Sequence, residues 1–209
     1  MNEINITFYF KKAFEIYKSD FFKFIIAFII VFIISVVSLG ILAGPSIAGF
    51  FLMVLGRLRN KTQQVNIEDI FKGFNYFKST LIFVILTCAI YFVGWLIVLI
   101  LPLLLERIAH FLLFLLLLTI SQFGIPLIVD KKVTCFDAYT ISFGVVKKNF
   151  PLIFAFTIMW YVLGMIGIVF YIIGLFITMP FGICLVAVAY DEIFTKNYTS
   201  SQNLFLNKW

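Results

Sequence analysis

The sequence predicts an all-α fold: a polytopic membrane helical bundle of about six transmembrane helices, arranged as three hairpins that are each preceded by a cytoplasmic amphipathic interfacial helix. Hydrophobic residues make up 63% of the 209 residues and charged residues only 12%, whereas about 25% of an ordinary globular domain is charged. Long uncharged stretches recur along the chain. A soluble fold of this size cannot bury so much apolar surface, and a bilayer is needed to solvate it.

The uncharged stretches set the positions of the membrane spans. They cover residues 25–56, 81–105, 111–129 and 150–190, and strands of about 4–8 residues are far shorter. A crossing helix needs about 20 apolar residues, so the first and last stretches each hold two crossings and a turn. We expect spans at 21–40, 42–58, 81–104, 108–129, 150–170 and 172–190.

The basic residues predict the orientation. Fifteen of the sixteen Lys and Arg residues lie in the N-terminal segment, the C-terminal tail and two of the connections, and only Arg107 falls on the other side. The positive-inside rule places the basic side in the cytoplasm. We therefore expect a multi-pass membrane protein with both termini cytoplasmic. Because the basic residues are spread over separate juxtamembrane segments, we expect them to face lipid headgroups, and we expect no nucleic-acid partner.

Three segments resemble one another, and each leads into an uncharged stretch. They are Phe10–Phe21, Ile70–Leu81 and Tyr139–Phe150. In each, apolar residues recur at three and four positions, as in an amphipathic helix. We expect these helices to lie at the cytoplasmic interface before bending into the membrane, with Lys18, Lys78 and Lys147 as interfacial lipid contacts.

The resemblance extends to an internal repeat. The small residue followed by Phe is Ala13-Phe14, Gly73-Phe74 and Ser142-Phe143 in the three segments. We expect residues 1–209 to form a single integral membrane domain with parallel repeats at 10–58, 70–130 and 139–190. The alternative is that any bundle with basic cytoplasmic connections produces such a pattern.

The interiors of the predicted spans contain no ionisable residue of the kind that catalysis or proton transfer requires. We therefore expect no enzyme and no cofactor, and the lack of polar lining also disfavours an ion channel or a proton-coupled transporter. Three cysteines far apart in sequence and a single His predict no metal site. His110, beside Glu106 and Arg107 on the outer side, is interpreted as part of a solvated loop rather than an acid–base site.

Three residues in the spans are possible ligand or packing contacts: Gln122, Thr178 and Pro180. A buried amide such as Gln122 requires a partner, and we expect an interhelical hydrogen bond rather than a polar ligand. Pro180 frees a backbone carbonyl within its span, which Thr178, a water or a ligand could satisfy. A packing kink is the favoured interpretation. Gly40, Gly44 and Ala48 form a stripe of small residues that predicts close helix packing.

The second half of the chain carries a family resemblance. The residues concerned are the tract Pro126–Asp130, then Ala138, Ser142, Lys147 and Asn149, and later Gly174, Pro180 and Tyr190. Together, over about residues 120–192, they resemble a broad group of uncharacterised bacterial six-helix inner-membrane proteins that is related to the membrane portion of some glycerophosphodiester phosphodiesterases. The resemblance implies a helical bundle in the cytoplasmic membrane and supplies no catalytic residue.

Two functions fit these expectations. The first is a non-enzymatic inner-membrane protein that binds membrane lipids, or a partner membrane protein or second copy of itself, in envelope organisation, protection or regulation. The second is a small permease or exporter of an apolar or amphipathic compound. A closed core with grooves that face lipid favours the first, and a central cavity open to one side favours the second.

Overall fold

A computed structural model describes residues 6–60, 65–169 and 171–205. Phe170, where the fifth predicted span ends, and the basic residues Lys61 and Lys208 lie outside these ranges. The described chain is helical, with no strand. The helices are α1 Ile6–Ser19, α2 Phe21–Val37, α3 Ala43–Arg59, α4 Asp69–Lys72, α5 Phe77–Val98, α6 Leu103–Ser121, α7 Gly124–Lys131, α8 Cys135–Lys148, α9 Phe150–Val169 and α10 Tyr171–Phe205, and a 3-10 turn, Gly73–Tyr76, joins α4 to α5.

Four described segments are long and apolar enough to cross a membrane. They are Asp69–Val98, Leu105–Lys131, Phe150–Ile168 and Gly174–Phe194. A fifth is added if α1 and α2, which meet at an angle of 90°, count as one broken span. The predicted all-helical, multi-pass architecture is therefore confirmed. The number of six crossings stays a prediction, because α2 and α3 have only 17 residues each against the roughly 20 of a full crossing.

The corner between α1 and α2 is held by charged groups. Asp20 lies between the two helices in a non-helical conformation and accepts a hydrogen bond of 2.8 Å from Nε of Arg57, at the end of α3. Burial pushes the pKa of Asp20 upward, but the hydrogen bonds from Arg57 and Ser19 outweigh this effect and leave the pKa below its ordinary value. The corner is thereby fixed to α3.

A tight turn connects α2 to α3. The amide of Gly40 donates to the carbonyl of Ser35 and the amide of Leu39 donates to that of Val36, which is the Schellman pattern of a helix C-terminus. Gly40 has a φ of 86° and no atom within 4 Å of an added Cβ. The predicted stripe of small residues is therefore wrong at Gly40, which serves the turn. Gly44 does pack closely, since its Cβ position lies 3.1 Å from the Thr80 carbonyl oxygen.

Helix α3 is the centre of the molecule. Eleven of its 17 residues are buried, and it contacts α2, α4, α5, α7 and α10. Its backbone meets that of the α4 segment directly: a Cβ added at Gly49 would overlap the Ile70 carbonyl, and one added at Gly73 would overlap Pro45 and Gly49. Two glycines thus allow a contact that any side chain would prevent.

The three segments of the predicted repeat pack in a consistent way. Helix α1 packs on α10, α4 and the 3-10 turn pack on α3, and α8 packs on α6 and α7. The small residues at corresponding positions, Ala13, Gly73 and Ser142, are all buried. The second and third segments therefore each lie against the second membrane helix of the preceding predicted unit. The first segment lies against the second membrane helix of the third unit. The repeat itself stays a prediction.

Several element boundaries differ from the expected ones, and three differences affect the packing. Ile70–Leu81 is not a single helix, because the chain tightens into a 3-10 turn at Gly73, where the backbone approaches α3. The fourth predicted span is interrupted at 122–123, between α6 and α7. Helix α10 continues beyond residue 190 to Phe205, and Pro180 lies inside it without ending it.

The glycine contact at the centre predicts a sharp difference between two matched substitutions in α3. Gly49→Ala forces the added methyl into the Ile70 carbonyl, and we expect it to destabilise the protein by about 1–3 kcal/mol, as for overpacking of a core. Gly56→Ala meets no atom within 4 Å and is expected to be neutral or slightly stabilising through helix propensity. The apparent Tm in detergent measures both; equal effects would contradict the assigned contact.

Candidate functional site

An apolar cavity, open on one side, lies between the helices of the bundle. Its volume is about 320 Å³, and its walls come from α3, α5, α6, α7, α9 and α10. The lining includes Phe51, Phe83, Leu118, Trp160, Ile183 and Val186. The cavity therefore lies where the membrane helices of all three predicted units meet, and a ligand there would be surrounded by hydrocarbon and aromatic groups.

A groove between α5 and α6 adjoins this cavity. It has a volume of about 580 Å³ and shares Thr87, Cys88, Leu118 and Ser121 with the cavity lining. Its outer part is formed by apolar side chains at the surface of the bundle, among them Phe92, which is 57% exposed. The groove and the cavity therefore share part of their walls.

Gln122 lies at the cavity wall and is bonded to neighbouring protein groups. Its Nε2 donates to the Thr119 carbonyl at 3.1 Å and to Oγ1 of Thr157 at 2.9 Å, and its Oε1 accepts from Nε1 of Trp160 at 3.0 Å. Thr157 and Trp160 belong to α9, so this amide ties α9 to the interruption between α6 and α7. The geometry is that of interhelical packing.

The other hydroxyls of the cavity are also bonded within the protein. Thr87 donates to the Phe83 carbonyl at 2.8 Å and shares a hydrogen bond with the hydroxyl of Tyr139. Ser121 donates to the Leu117 carbonyl at 2.7 Å. A ligand in this cavity would consequently be held by apolar contact.

Thr178 and Pro180 serve packing between helices. The Thr178 hydroxyl donates to the Gly174 carbonyl at 3.1 Å, and Thr178 packs so closely on α9 that a Cβ at Gly167 would overlap its hydroxyl. The carbonyl of Ile177, three residues before Pro180, accepts a hydrogen bond of 2.8 Å from the hydroxyl of Tyr17. Proline removes the donor to the carbonyl four residues earlier, that of Phe176, so the Tyr17 bond is to the carbonyl next to the freed one. This contact between α1 and α10 was not predicted.

A cluster of charged residues joins the ends of α3 and α7 to the middle of α10. Arg59 of α3 donates from both terminal nitrogens to Asp130 of α7 and from Nε to Asp191 of α10 at 2.9 Å. The hydroxyl of Tyr190 donates to Asp130 at 2.8 Å. The hydrogen bond to Asp130 is the main cause that raises the pKa of Arg59, against the opposing effect of burial. Asp130 and Asp191, each just after a long uncharged stretch, are thus both paired with one arginine.

The remaining predicted site residues lie apart from the cavity. Lys18, Lys78 and Lys147 are all exposed, so they are accessible to lipid headgroups; lipid contact itself stays a prediction. Nδ1 of His110 lies 3.9 Å from Glu106, and its ring stacks on Trp95. In the described ranges, no group of three His, Cys, Asp or Glu side chains could hold a metal ion.

Comparison with known proteins gives no relative for this chain. No family model, no curated protein and no solved structure matches it. The resemblance to bacterial six-helix membrane proteins therefore stays a prediction, and the function has to be argued from the chain itself.

The charged cluster predicts a stability coupling between α3 and its two neighbours. Arg59→Gln leaves two partly buried carboxylates without their cation, and we expect a loss of about 1–3 kcal/mol, between the values for exposed and buried pairs. Asp130→Asn added to Arg59→Gln is expected to cost less than the sum of both single changes. The apparent Tm values in detergent of the unmodified protein, the two single variants and the double variant give the coupling energy between Arg59 and Asp130.

Lys132→Gln is the control for this cycle. It removes a positive charge two residues from Asp130, and Lys132 is exposed, so the expected change is below about 0.5 kcal/mol. Strict additivity of the Arg59 and Asp130 substitutions would show that the ion pair contributes nothing in solution.

Proposed function

We propose that this chain is a non-enzymatic integral protein of the bacterial inner membrane that binds lipid, with one apolar chain of the lipid held in the central cavity. The observation that carries the proposal is the apolar groove between α5 and α6 at the surface of the bundle, which adjoins the cavity. Cavities of about 300–1,000 Å³ are typical of small-molecule sites. The groove lies on a face of the bundle that we place against the acyl chains of the bilayer.

The proposed membrane placement has six crossings in three hairpins, with both termini in the cytoplasm. Helices α2 and α3 would form the first hairpin, α5 and the α6–α7 pair the second, and α9 and α10 the third. Support comes from the 90° corner between α1 and α2, which would let α1 lie along the cytoplasmic surface while α2 enters the membrane. The charged cluster at Arg59 would then lie at the cytoplasmic end of the bundle.

The state of the polar groups in the cavity favours an apolar ligand. Gln122, Thr87 and Ser121 already have protein partners, so a polar ligand would either leave its own groups unpaired or break these bonds. An acyl chain has no polar groups to leave unpaired, and it can bind without breaking these hydrogen bonds. Each buried methylene group contributes about 0.8 kcal/mol of transfer free energy from water, so the preference over other lipid positions must come from shape.

The alternative function is a small permease or exporter of an apolar or amphipathic compound. One observation favours it: Met179 and Gly182, on either side of Pro180 in α10, line the cavity, so that movement at the proline would change the cavity walls. A transport assay in vesicles separates the two functions, since a lipid-binding protein retains its ligand without moving it across the bilayer.

Filling the cavity tests the proposed lipid binding. A phospholipid with a brominated acyl chain quenches tryptophan on contact, and Trp160 lines the cavity. In protein carrying Trp95→Phe and Trp209→Phe, we expect quenching that saturates at a low mole fraction of brominated lipid in detergent micelles. Gly182→Leu places a side chain beside Trp160, where an added Cβ has 3.7 Å of clearance, and should weaken binding by at least about tenfold, because two or more methylene contacts are lost.

Gly56→Leu is the matched control. It makes the same substitution in a helix, but at a position with no atom within 4 Å of the added Cβ, and should leave the quenching curve unchanged. Quenching that rises only in proportion to the lipid fraction in all three proteins would refute a lipid site in the cavity.

The proposed orientation predicts which positions a membrane-impermeant maleimide reaches in intact cells. In a Cys88→Ser background, in which Cys135 and Cys184 are buried, we expect Arg107→Cys to be labelled and Asn75→Cys to be protected. Both positions are exposed, so permeabilised cells should label both. Labelling of Asn75→Cys alone in intact cells would invert the orientation.

A further inference from the structure

A second pocket, separate from the cavity, lies between α1, the last turn of α3 and the middle of α10. Its volume is about 770 Å³. Helix α1 contributes Phe8, Lys11, Lys12, Glu15, Ile16 and Ser19, and the pocket is completed by Arg57 and Leu58 of α3 and Glu192 of α10. It thus combines positive groups, negative groups and an apolar portion in one depression.

The charges in this pocket are of two kinds. Some already form ion pairs: Lys12 with Glu192 at 2.6 Å and Arg57 with Asp20 at 2.8 Å. Lys11 and Glu15, one helical turn apart and both exposed, form no ion pair with any other described residue. The pocket therefore offers one ammonium and one carboxylate that are open to a ligand.

We propose that this pocket binds the headgroup of a membrane phospholipid that carries both a phosphate and a primary ammonium group. Lys11 would pair with the phosphate, aided by the nearby positive charge of Arg57, and Glu15 would accept hydrogen bonds from the ligand ammonium. Phe8, Ile16 and Leu58 would contact the glycerol and the first methylene groups. Each charge of the ligand would thus face an opposite charge of the protein: the phosphate faces Lys11, and the ammonium faces Glu15.

The same pairing disfavours other lipids. An anionic phospholipid without an amine would leave Glu15 beside a second negative charge, which is repulsive. A quaternary ammonium has no N–H group to donate to Glu15, and the Phe8 ring that could contact it already lies 5.7 Å from the Lys12 ammonium. Selectivity for the primary amine is therefore the property that defines the proposed site.

This inference deepens the lipid binding proposed above, and it rests on that proposal only in placing α1 at the membrane surface. The pocket shares no residue with the cavity lining. The two sites can therefore fail separately: loss of headgroup selectivity concerns α1, and loss of acyl-chain contact concerns the cavity.

Native mass spectrometry tests the headgroup site. The protein is reconstituted in nanodiscs of equal parts phosphatidylethanolamine and phosphatidylglycerol and released with the lipids it retains; a parallel sample replaces the former by phosphatidylcholine. We expect retention of phosphatidylethanolamine above its bulk share, and a fall in this preference of about three- to fivefold in Glu15→Gln and in Lys11→Gln, the effect of a partly exposed charge pair. Gly182→Leu should keep the preference.

Two charge-matched controls accompany these variants. Arg107→Gln and Glu106→Gln remove one charge of the same sign at positions outside the pocket and should leave the preference unchanged. The apparent Tm of all four variants should equal that of the unmodified protein. Equal retention of both lipids by the unmodified protein would overturn the proposal, as would a preference that Glu15→Gln and Lys11→Gln leave intact. Displacement of the lipid by soluble glycerophosphoethanolamine would assign the pocket to a soluble ligand and overturn the lipid assignment.

Discussion

The interior of a bilayer offers no hydrogen-bond partner, and each polar group in the helices of this protein has to be satisfied by the protein itself. Most of the hydroxyls do this locally: Ser35, Thr80, Thr87, Thr119, Ser121, Thr157 and Thr178 each donate to a backbone carbonyl of the preceding turn. Others, such as those of Tyr17 and Ser142, donate to a carbonyl of another helix. The buried hydroxyl of Ser46 has no partner among the described residues. Since nearly all polar groups are paired, the walls of the cavity present mainly apolar groups.

The same constraint explains the position of α3. Its first half approaches α4 through glycine, where backbone lies against backbone without intervening side chains. Its last turn carries Arg59, whose guanidinium reaches carboxylates on two other helices. Placing this charge at the end of the helix, rather than within it, avoids the cost of an ion in hydrocarbon. One short helix therefore organises both the tightest apolar contact and the charged junction of the molecule.

Much of the helical pattern was predictable, because long uncharged apolar stretches are too long to be strands and are therefore expected to be helices. The predicted span 42–58 corresponds to α3, Ala43–Arg59, within one residue at each end. The requirement of Gln122 for a partner was also predictable, since an amide cannot remain unpaired in an apolar interior. What could not be predicted was which helix supplies that partner, because Thr157 and Trp160 are 35 and 38 residues away in sequence.

The unpredicted features share one physical cause, which is that they depend on distances between helices. The bond from Tyr17 to the carbonyl of Ile177 joins residues 160 positions apart, and the pairing of Arg59 with Asp191 joins residues 132 positions apart. Amphipathic spacing indicated that α1 has an apolar face, but it could not indicate that this face packs on α10. The cavity is even harder to predict from the sequence, because its volume depends on how several helices pack and not on the type of any single residue.

The two proposed lipid contacts differ in chemistry, and they should therefore contribute differently to lipid recognition. An apolar cavity distinguishes ligands by only about 0.8 kcal/mol for each methylene group, which separates acyl chains of neighbouring length poorly. Charged groups that stay unpaired until the ligand arrives discriminate more strongly, because a mismatched ligand leaves them facing a like charge or no charge at all. Lys11 and Glu15 lie on the part of the protein that we place nearest the headgroups. Selectivity between lipids should therefore arise at α1, while the cavity supplies a general affinity for hydrocarbon.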